Sequence, residues 1–461
     1  MKIERFEVPG LAQYSYVISD GGVAAVIDPI RDIDRYTDYA ATQGLPIRYV
    51  LETHIHADFA SGSVALAEAT GAELALSGHD GGEHYRYGMQ HRDLRDGDVI
   101  QIGALQLKAL HTPGHTPEHL SFVLFDTGRS ASEPAALFSG DFLFVGSLGR
   151  PDLLGDEAKE GLAHELYRSL HERIANLPDS VQVYPGHGAG SLCGAGMIER
   201  AESTLGYERA TNPLFALSEE TFVREILGSV PPMPDYYPRM KTLNAQGAPG
   251  VAVLPGACAL TSHDVAALAQ EDDVVLLDLR RPETFGGAHI AKALNIGASQ
   301  NLSLWAGWLL DPSKRIVLVT ETGDEEDSRR ALVRVGLDNI AGYLSQGMPA
   351  WIKDGFDFAR TAQFSAHEVE RLAPEALIVD VRSTNEWVSG HISNARHIML
   401  GDLRSGLAAL PTDRPLITVC GSGYRSSIAA SLLAQHGFSQ ISSMAGGVEA
   451  WNRQHLPLTT I

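Results

Sequence analysis

Residues 53–59 read T-H-I-H-A-D-F, and this short run decides what the first half of the chain can be. It continues I-R-Y-V-L-E-T-H (47–54), a β-branched, apolar stretch that reads as a buried strand, so its polar residues are delivered from the end of a rigid element. A His-x-His-x-Asp-His run normally supplies ligands to two adjacent metal ions. His54, His56 and Asp58 stand in place, but Phe59 takes the last ligand position, and a phenyl ring cannot bind a metal. The expectation is one metal ion rather than two. That points away from two-metal hydrolysis and towards activation of a small molecule such as O2 at open positions.

Working outward, V-A-A-V-I-D-P (23–29), L-Q-L-K-A-L-H-T-P-G-H (105–115), L-S-F-V-L-F-D (120–126), A-L-F-S-G-D (136–141) and V-Q-V-Y-P-G-H-G (181–188) read as further buried strands. S-V-A-L-A-E-A-T-G-A (63–72) reads as a helix closed by Gly71, and a second helix is expected near 157–175. The loops after the strands carry His115 (T-P-G-H-T), Asp141 (S-G-D) and His187 (P-G-H-G), so these groups and the H-x-H-x-D run can meet at one edge of a sheet sandwich. Histidine and carboxylate ligands with open positions suit non-heme Fe(II) chemistry, and the same set could hold Zn(II). Any one of the 18 histidines is more often a surface or core residue than a ligand; four motif pieces in order reverse that weighting. From about 208 to 256 the runs N-P-L-F, P-P-M-P-D-Y-Y-P-R-M and G-A-P-G mark the departure from the first domain.

At 461 residues the chain exceeds a single core, and roughly two to four domains are expected. A formal net charge of −21 argues against nucleic acid, which rewards clustered Lys and Arg. Cys193, Cys258 and Cys420 show no disulfide or zinc-knuckle spacing and fit a reducing cytosol. The opening M-K-I-E-R-F-E-V-P-G lacks the apolar core of a signal peptide, and no apolar run of about 18 residues occurs, so a cytoplasmic protein without membrane partners is expected.

The remainder repeats. V-V-L-L-D-L-R-R-P-E-T-F-G-G-A-H-I (274–290) aligns with L-I-V-D-V-R-S-T-N-E-W-V-S-G-H-I (377–392): Asp278 and Asp380, Arg280 and Arg382, and His289 and His391 are each 102 positions apart. G-M-P-A-W (347–351) answers G-V-E-A-W (447–451). Tandem α/β domains of about 100 residues follow. The copies differ at one loop. L-I-T-V-C enters C-G-S-G-Y-R (420–425), whereas R-I-V-L-V-T runs into E-T-G-D-E-E, with Thr320 near the cysteine position and acid near the arginine position.

H-I-H-A-D, T-P-G-H-T, G-D and G-R-P-D-L together resemble the metallo-β-lactamase superfamily, and within it the persulfide dioxygenases, over roughly residues 1–240. The resemblance implies an αββα sandwich, taken as domain 1–245, and one Fe(II) per chain held by His54, His115 and Asp141. It makes His56, Asp58 and His187 groups that orient those ligands. Arg150 matches an arginine lining the family's substrate pocket, where it would pair with the carboxylate of a thiol such as glutathione; a salt-bridged loop arginine is the alternative. Cys193 reads either as a redox or persulfide relay at the mouth of the site or as a small buried residue.

In C-G-S-G-Y-R the small residues let successive N–H groups point at the Cys420 sulfur, and the N-terminus of the following helix S-S-I-A-A-S-L-L-A-Q-H-G adds partial positive charge. Both favour a thiolate or an anionic persulfide. Arg425 can close the cradle and attract sulfite, thiosulfate or a persulfide. With D-V-R, E-W, G-H-I and the G-G…A-W ending, domain 363–461 resembles a rhodanese. That resemblance implies that Cys420 carries sulfane sulfur, with Arg425 as its catalytic companion and Gly421, Ser422, Gly423 and Tyr424 binding substrate. A phosphatase is the competitor, but its C-x5-R loop is longer than the one here. The middle copy, 256–360, resembles a rhodanese without its nucleophile.

The combined resemblance implies Fe(II)-dependent oxidation of a thiol persulfide, such as that of glutathione or coenzyme A, by O2 to sulfite. Sulfur transfer through Cys420 would then give thiosulfate, in sulfide detoxification, by a chain that forms homo-oligomers. A zinc-dependent thioester hydrolase of the glyoxalase II type with rhodanese appendages is the alternative. A non-enzymatic sulfur carrier using only Cys420 is a third.

Overall fold

Consecutive strands with buried apolar faces give the first half of the chain two six-stranded sheets. The computed structural model describes residues 1–79, 86–254, 256–321 and 323–460. Its contacts divide it into Met1–Leu254 with Val333–Gly336, and Pro255–Leu332 with Leu337–Ile461. The first sheet runs in chain order through β1 (Lys2–Val8), β2 (Gln13–Asp20), β3 (Val23–Ile27), β4 (Ile47–Leu51), β5 (Glu73–Ser77) and β6 (Arg92–Leu94). It is antiparallel up to β3 and parallel from there, the crossovers carrying α1 (Asp34–Gln43) and α2 (Ser63–Thr70).

The second sheet uses β7 (Val99–Ile102), β8 (Leu105–His111), β9 (Leu120–Asp126) and β10 (Pro134–Gly140). After a short hairpin, β11 (Leu143–Phe144) with β12 (Ser147–Leu148), it adds β13 (Gln182–Pro185) and β14 (Ser203–Thr204), giving the order β14-β13-β10-β9-β8-β7. Tyr16, Ile18, Ile27 and Leu51 of one sheet share a buried core with Leu107, Phe122, Leu124 and Phe138 of the other. Against the residues of the second sheet that point away from this core, Val123, Leu137 and Val183, lie Leu166 of α3 (Lys159–Arg168) and Phe222 and Ile226 from further along the chain.

Two expectations are adjusted here. The helix near 157–175 is α3 followed by a wider turn, Ser169–Arg173. The Pro-rich stretch is no open linker: it holds α4 (Leu205–Thr211), α5 (Glu219–Gly228) and α6 (Tyr237–Gln246). Its prolines mislead because Pro238 sits in the first turn of α6, where a missing N–H is harmless, and Phe222, Val223 and Ile226 give α5 an apolar stripe.

The second unit contains two parallel five-stranded sheets of identical order. One is β15 (Ala259–Leu260), β16 (Val274–Asp278), β17 (Leu294–Asn295), β18 (Arg315–Val319) and β19 (Ile340–Leu344), ordered β15-β19-β18-β16-β17. The other is β20 (Ala362–Phe364), β21 (Leu377–Asp380), β22 (Arg396–His397), β23 (Leu416–Val419) and β24 (Ile441–Met444), ordered β20-β24-β23-β21-β22. The repeated Asp, Arg and His are architectural in both. Arg280 pairs with Asp278 and donates to the Ala288 carbonyl at 2.7 Å; Arg382 pairs with Asp380 and donates to the Gly390 carbonyl at 2.8 Å. His289 and His391 bond back to the carbonyls of Phe285 and Trp387 and stack on those rings. No helix of the described residues is long and apolar enough to cross a membrane.

Asp380→Ala would strand the guanidinium of buried Arg382. The expected loss of stability in the second unit is about 3–5 kcal/mol, read as a lowered transition by calorimetry. An unchanged transition would deny the pair its structural role.

Candidate functional site

β4, β8, β10 and β13 each hand the chain to a polar loop, and three side chains from these loops converge. His115 Nε2 lies 3.5 Å and His54 Nε2 3.8 Å from Asp141 Oδ2. All three atoms are buried and without a hydrogen-bond partner. Their opposite atoms are held. The Thr53 hydroxyl donates to Asp28 Oδ2 at 2.9 Å and so accepts from His54 Nδ1 at 2.9 Å. His115 Nδ1 donates to the Arg150 carbonyl at 2.8 Å, and Asp141 Oδ1 accepts from His187 Nδ1 at 2.7 Å. Each bond fixes a tautomer or an orientation and leaves a lone pair facing inward. Burial, with the neighbouring imidazoles, holds His54 and His115 well below the ordinary histidine range, in the neutral form that binds metal. This donor set fits one metal ion.

Two further groups of potential ligands surround it. In the first, His187 is bonded on both nitrogens, to Asp141 Oδ1 and, at 2.8 Å, to Asp58 Oδ2. Burial opposes its charge, but the two carboxylates prevail and lift it to about 10, so it is an imidazolium with no lone pair to offer. Cys193 completes this group; burial, with the Asp58 and Asp141 carboxylates, pushes its thiol well up. In the second group His56 Nε2 lies 2.9 Å from Glu52 and 3.2 Å from Asp28, and these carboxylates outweigh burial to keep it charged, while its Nδ1 has no partner. Phe59 is fully buried with its ring 4.4 Å from that of His56.

The metal loop is fastened by residues that sequence reasoning missed. Asn244 of α6 donates to the carbonyls of His56 (2.8 Å) and Phe59 (2.7 Å) and accepts from the Ser61 N–H. The Tyr236 hydroxyl donates to the Asp58 carbonyl at 3.0 Å, and Glu118 accepts from the Ile55 N–H at 2.9 Å. Gly149 is required by close approach, since a Cβ there would collide with the Asp141 carbonyl. Arg150 points into protein rather than solvent: it is 2% exposed, its Nε and Nη2 grip Asp152 at 2.7 and 2.8 Å, and its Nη1 donates to the Leu192 carbonyl.

In the second unit, Cys420 follows β23 and is fully buried. The Gly423 N–H donates to its Sγ at 3.1 Å, and Gly423, at φ +104°, opens the helix Tyr424–Gln435. Negative charge on Sγ is therefore met by an N–H and a helix N-terminus. Arg425 is bound bidentately by Glu386, at 2.6 and 2.7 Å. In the other copy Thr320 follows β18 in the same place; Thr322 lies outside the described residues.

Residues 8–187 match the metallo-beta-lactamase superfamily, and 261–354 and 365–454 each match the rhodanese-like domain. A hydroxyacylglutathione hydrolase of Polaromonas sp. is 32% identical over 247 residues, 48% of this chain and 88% of that protein. The mitochondrial persulfide dioxygenase ETHE1 of Bos taurus is 32% identical over 220 residues, 47% of this chain and 76% of that protein. The crystal structure of a metallo-beta-lactamase from Staphylococcus aureus covers 75% of this chain and 98% of its own at 37% identity, with a TM-score of 0.67. The chain belongs to the metallo-β-lactamase superfamily. Two rhodanese-like domains follow its metallo-β-lactamase domain.

The metallo-β-lactamase centre and the rhodanese loop each yield a prediction. Asn244→Ala frees two carbonyls and an N–H of the metal loop, and metal affinity should fall about ten- to a hundredfold in a competition titration with a chelating dye. Equal affinity would mean that the loop holds itself. Arg425 and the Ser383 cap overcome burial to hold Glu386 down from its ordinary 4.5 to about 2. A depressed carboxyl stabilises the fold above its unfolded value and ceases to do so as pH falls through the folded one. Glu386→Gln should therefore cost about 1 kcal/mol at pH 7, allowing for partial exposure, and the difference should vanish towards pH 2. A difference independent of pH would rule out the ion pair as its source.

Proposed function

We propose that the first domain, residues 1–245, is an Fe(II)-dependent persulfide dioxygenase and that the last, residues 363–461, is a sulfurtransferase working on its product. The observation that carries this reading is a convergent set of three orphaned donors, His54 Nε2, His115 Nε2 and Asp141 Oδ2, beside Phe59 and a His187 bonded on both ring nitrogens. Ferrous iron in that set would supply the electronic route by which triplet O2 reacts with sulfur. One persulfide, one O2 and one water give the free thiol and sulfite.

The chain's own groups do the arranging. Thr53 and the Arg150 carbonyl orient the two imidazoles, and His187 orients the Asp141 carboxylate and offsets its charge. In the last domain the Cys420 thiolate attacks the outer sulfur of R–S–SH. The S–S bond breaks, and R–S⁻ leaves with the electron pair. Sulfite then takes the outer sulfur from Cys420, giving thiosulfate and restoring the thiolate. The Gly423 N–H supports charge on Sγ in both steps. The middle domain, 256–360, has Thr320 in place of the nucleophile and does not transfer sulfur. This reading makes the protein a cytoplasmic, homo-oligomeric component of sulfide detoxification.

The similarity to hydroxyacylglutathione hydrolase favours one other reading, a zinc thioester hydrolase, and the loss of a second-metal ligand at Phe59 weighs against it. Oxygen-electrode traces with glutathione persulfide, beside thioester cleavage, separate the two. Substrate-dependent oxygen loss is expected; thioester cleavage without oxygen loss would overturn the dioxygenase. Cys420→Ser should leave oxygen uptake intact and shift the product from thiosulfate to sulfite. His115→Ala should abolish uptake while sparing sulfur transfer. Loss of uptake in an iron-replete Cys420→Ser protein would refute the division of labour.

A further inference from the structure

The helix Tyr424–Gln435, which begins beside the Cys420 sulfur, turns one face to the middle domain. Tyr424, Ser427 and Ser431 lie three and four positions apart and share that face. The Tyr424 hydroxyl donates to the Gly297 carbonyl at 2.9 Å, and the Ser427 hydroxyl donates to Asn295 Oδ1 at 2.6 Å. The Ser431 hydroxyl accepts from the Asn295 backbone N–H at 3.0 Å. Asn295, Ser427 and Ser431 are all buried. The Asn295 amide is itself held, because its Nδ2 donates to the carbonyls of Asp278 and Arg280 at 3.0 and 2.9 Å, which leaves Oδ1 facing Ser427. Docking alone would need only apolar residues. Hydroxyls paired one for one fix the rotation and height of the helix, since a slip would leave each partner buried and unpaired. With Thr320 set against Cys420, the middle domain has Asp324, Asp327 and Ala331 where the last has Tyr424, Ser427 and Ser431, so this face belongs to the copy that keeps its cysteine.

The bonds continue from this face to the sulfur. The Ser427 N–H donates to the Gly423 carbonyl at 3.3 Å, and the Gly423 N–H donates to Cys420 Sγ at 3.1 Å. The Ser426 hydroxyl, 3.7 Å from Sγ, donates to the same Gly423 carbonyl at 3.0 Å. We propose that Asn295 of the middle domain is a positioning residue for sulfur transfer: through Ser427 it sets the helix Tyr424–Gln435, and with it the Gly423 N–H, against the Cys420 sulfur. The inference rests on the sulfur-transfer reading of Cys420, and it gives the copy without a nucleophile a task in the reaction. Negative charge gathers on Sγ as the outer sulfur leaves. An N–H displaced by a fraction of an ångström supports that charge less well.

The test follows a single turnover of the full chain. Thiosulfate loads its outer sulfur onto Cys420 and leaves as sulfite; after desalting, cyanide removes that sulfur as thiocyanate and restores the thiolate. The amplitude counts competent chains, and the rate constant reports the loop. Ser427→Ala should slow the discharge about tenfold at unchanged amplitude. Ser427→Thr, which keeps the hydroxyl, should restore most of the rate. Asn295→Ala combined with Ser427→Ala should be no slower than Asn295→Ala alone. Hydrogen exchange of segment 420–427, read by mass spectrometry, should quicken in Ser427→Ala and Asn295→Ala and return to the wild-type rate in Ser427→Thr. Wild-type rate constants in both single variants, or additive losses in the double variant, would overturn the inference. So would a fall in amplitude at an unchanged rate constant, the mark of a merely structural contact. If Asn295→Ala does not fold, Ser427→Ala and Ser427→Thr decide the matter. A wild type that takes up no sulfur, with exchange at 420–427 still quickened by the substitutions, would sink the parent reading alone; exchange that stays unchanged there would sink the inference.

Discussion

The hydrogen bond on the far side of each inward-facing ligand is the constraint on which the metal centre depends. An imidazole can present either nitrogen, and a carboxylate either oxygen. Here Thr53, the Arg150 carbonyl and His187 each take one of the two, so the other must face the shared centre. None of these partners comes from the strand that carries the ligand it orients, except Thr53, which is its neighbour. The sandwich must therefore close before the donor set exists, and fold and chemistry are coupled through those bonds.

Charge balance bears on how many metal ions the proposed centre would hold. Asp28, Glu52, Asp58 and Asp141 are all buried around the site, an arrangement that is costly unless cations accompany them. His56 lies between Asp28 and Glu52, and His187 between Asp58 and Asp141. Those carboxylates outweigh burial and hold both imidazoles above the ordinary histidine range, so each places positive charge between two acids. Phe59 suits the arrangement: an apolar ring beside His56 adds no ligand and no charge.

Much of this was legible in the sequence where strand periodicity ran directly into a polar residue. His54, His115, Asp141 and His187 follow strands as expected, and the two repeats of Asp, Arg and His share sheet order down to the edge strands. What stayed hidden depends on tertiary closure. Asn244 and Tyr236 lie in a segment whose prolines signal a linker, and nothing local announces that α6 docks on a loop more than 180 residues earlier, as the Asn244–Phe59 bond shows. Glu386 had a signal that went unread. The middle copy has Thr284 at the matching place and acid opposite Arg425, so the pair occurs only in the copy that keeps its cysteine. Arg150, for which the sequence left both a substrate-pocket role and a loop salt bridge open, pairs with Asp152.

The central claim is a mononuclear ferrous centre, and metal stoichiometry on active material tests it most directly. Elemental analysis combined with Mössbauer spectroscopy of freshly purified, oxygen-consuming protein should find about one high-spin Fe(II) per chain in a single N/O environment, lost together with activity in Asp141→Asn. Two coupled ions per chain, or zinc as the metal in protein that consumes oxygen, would contradict it.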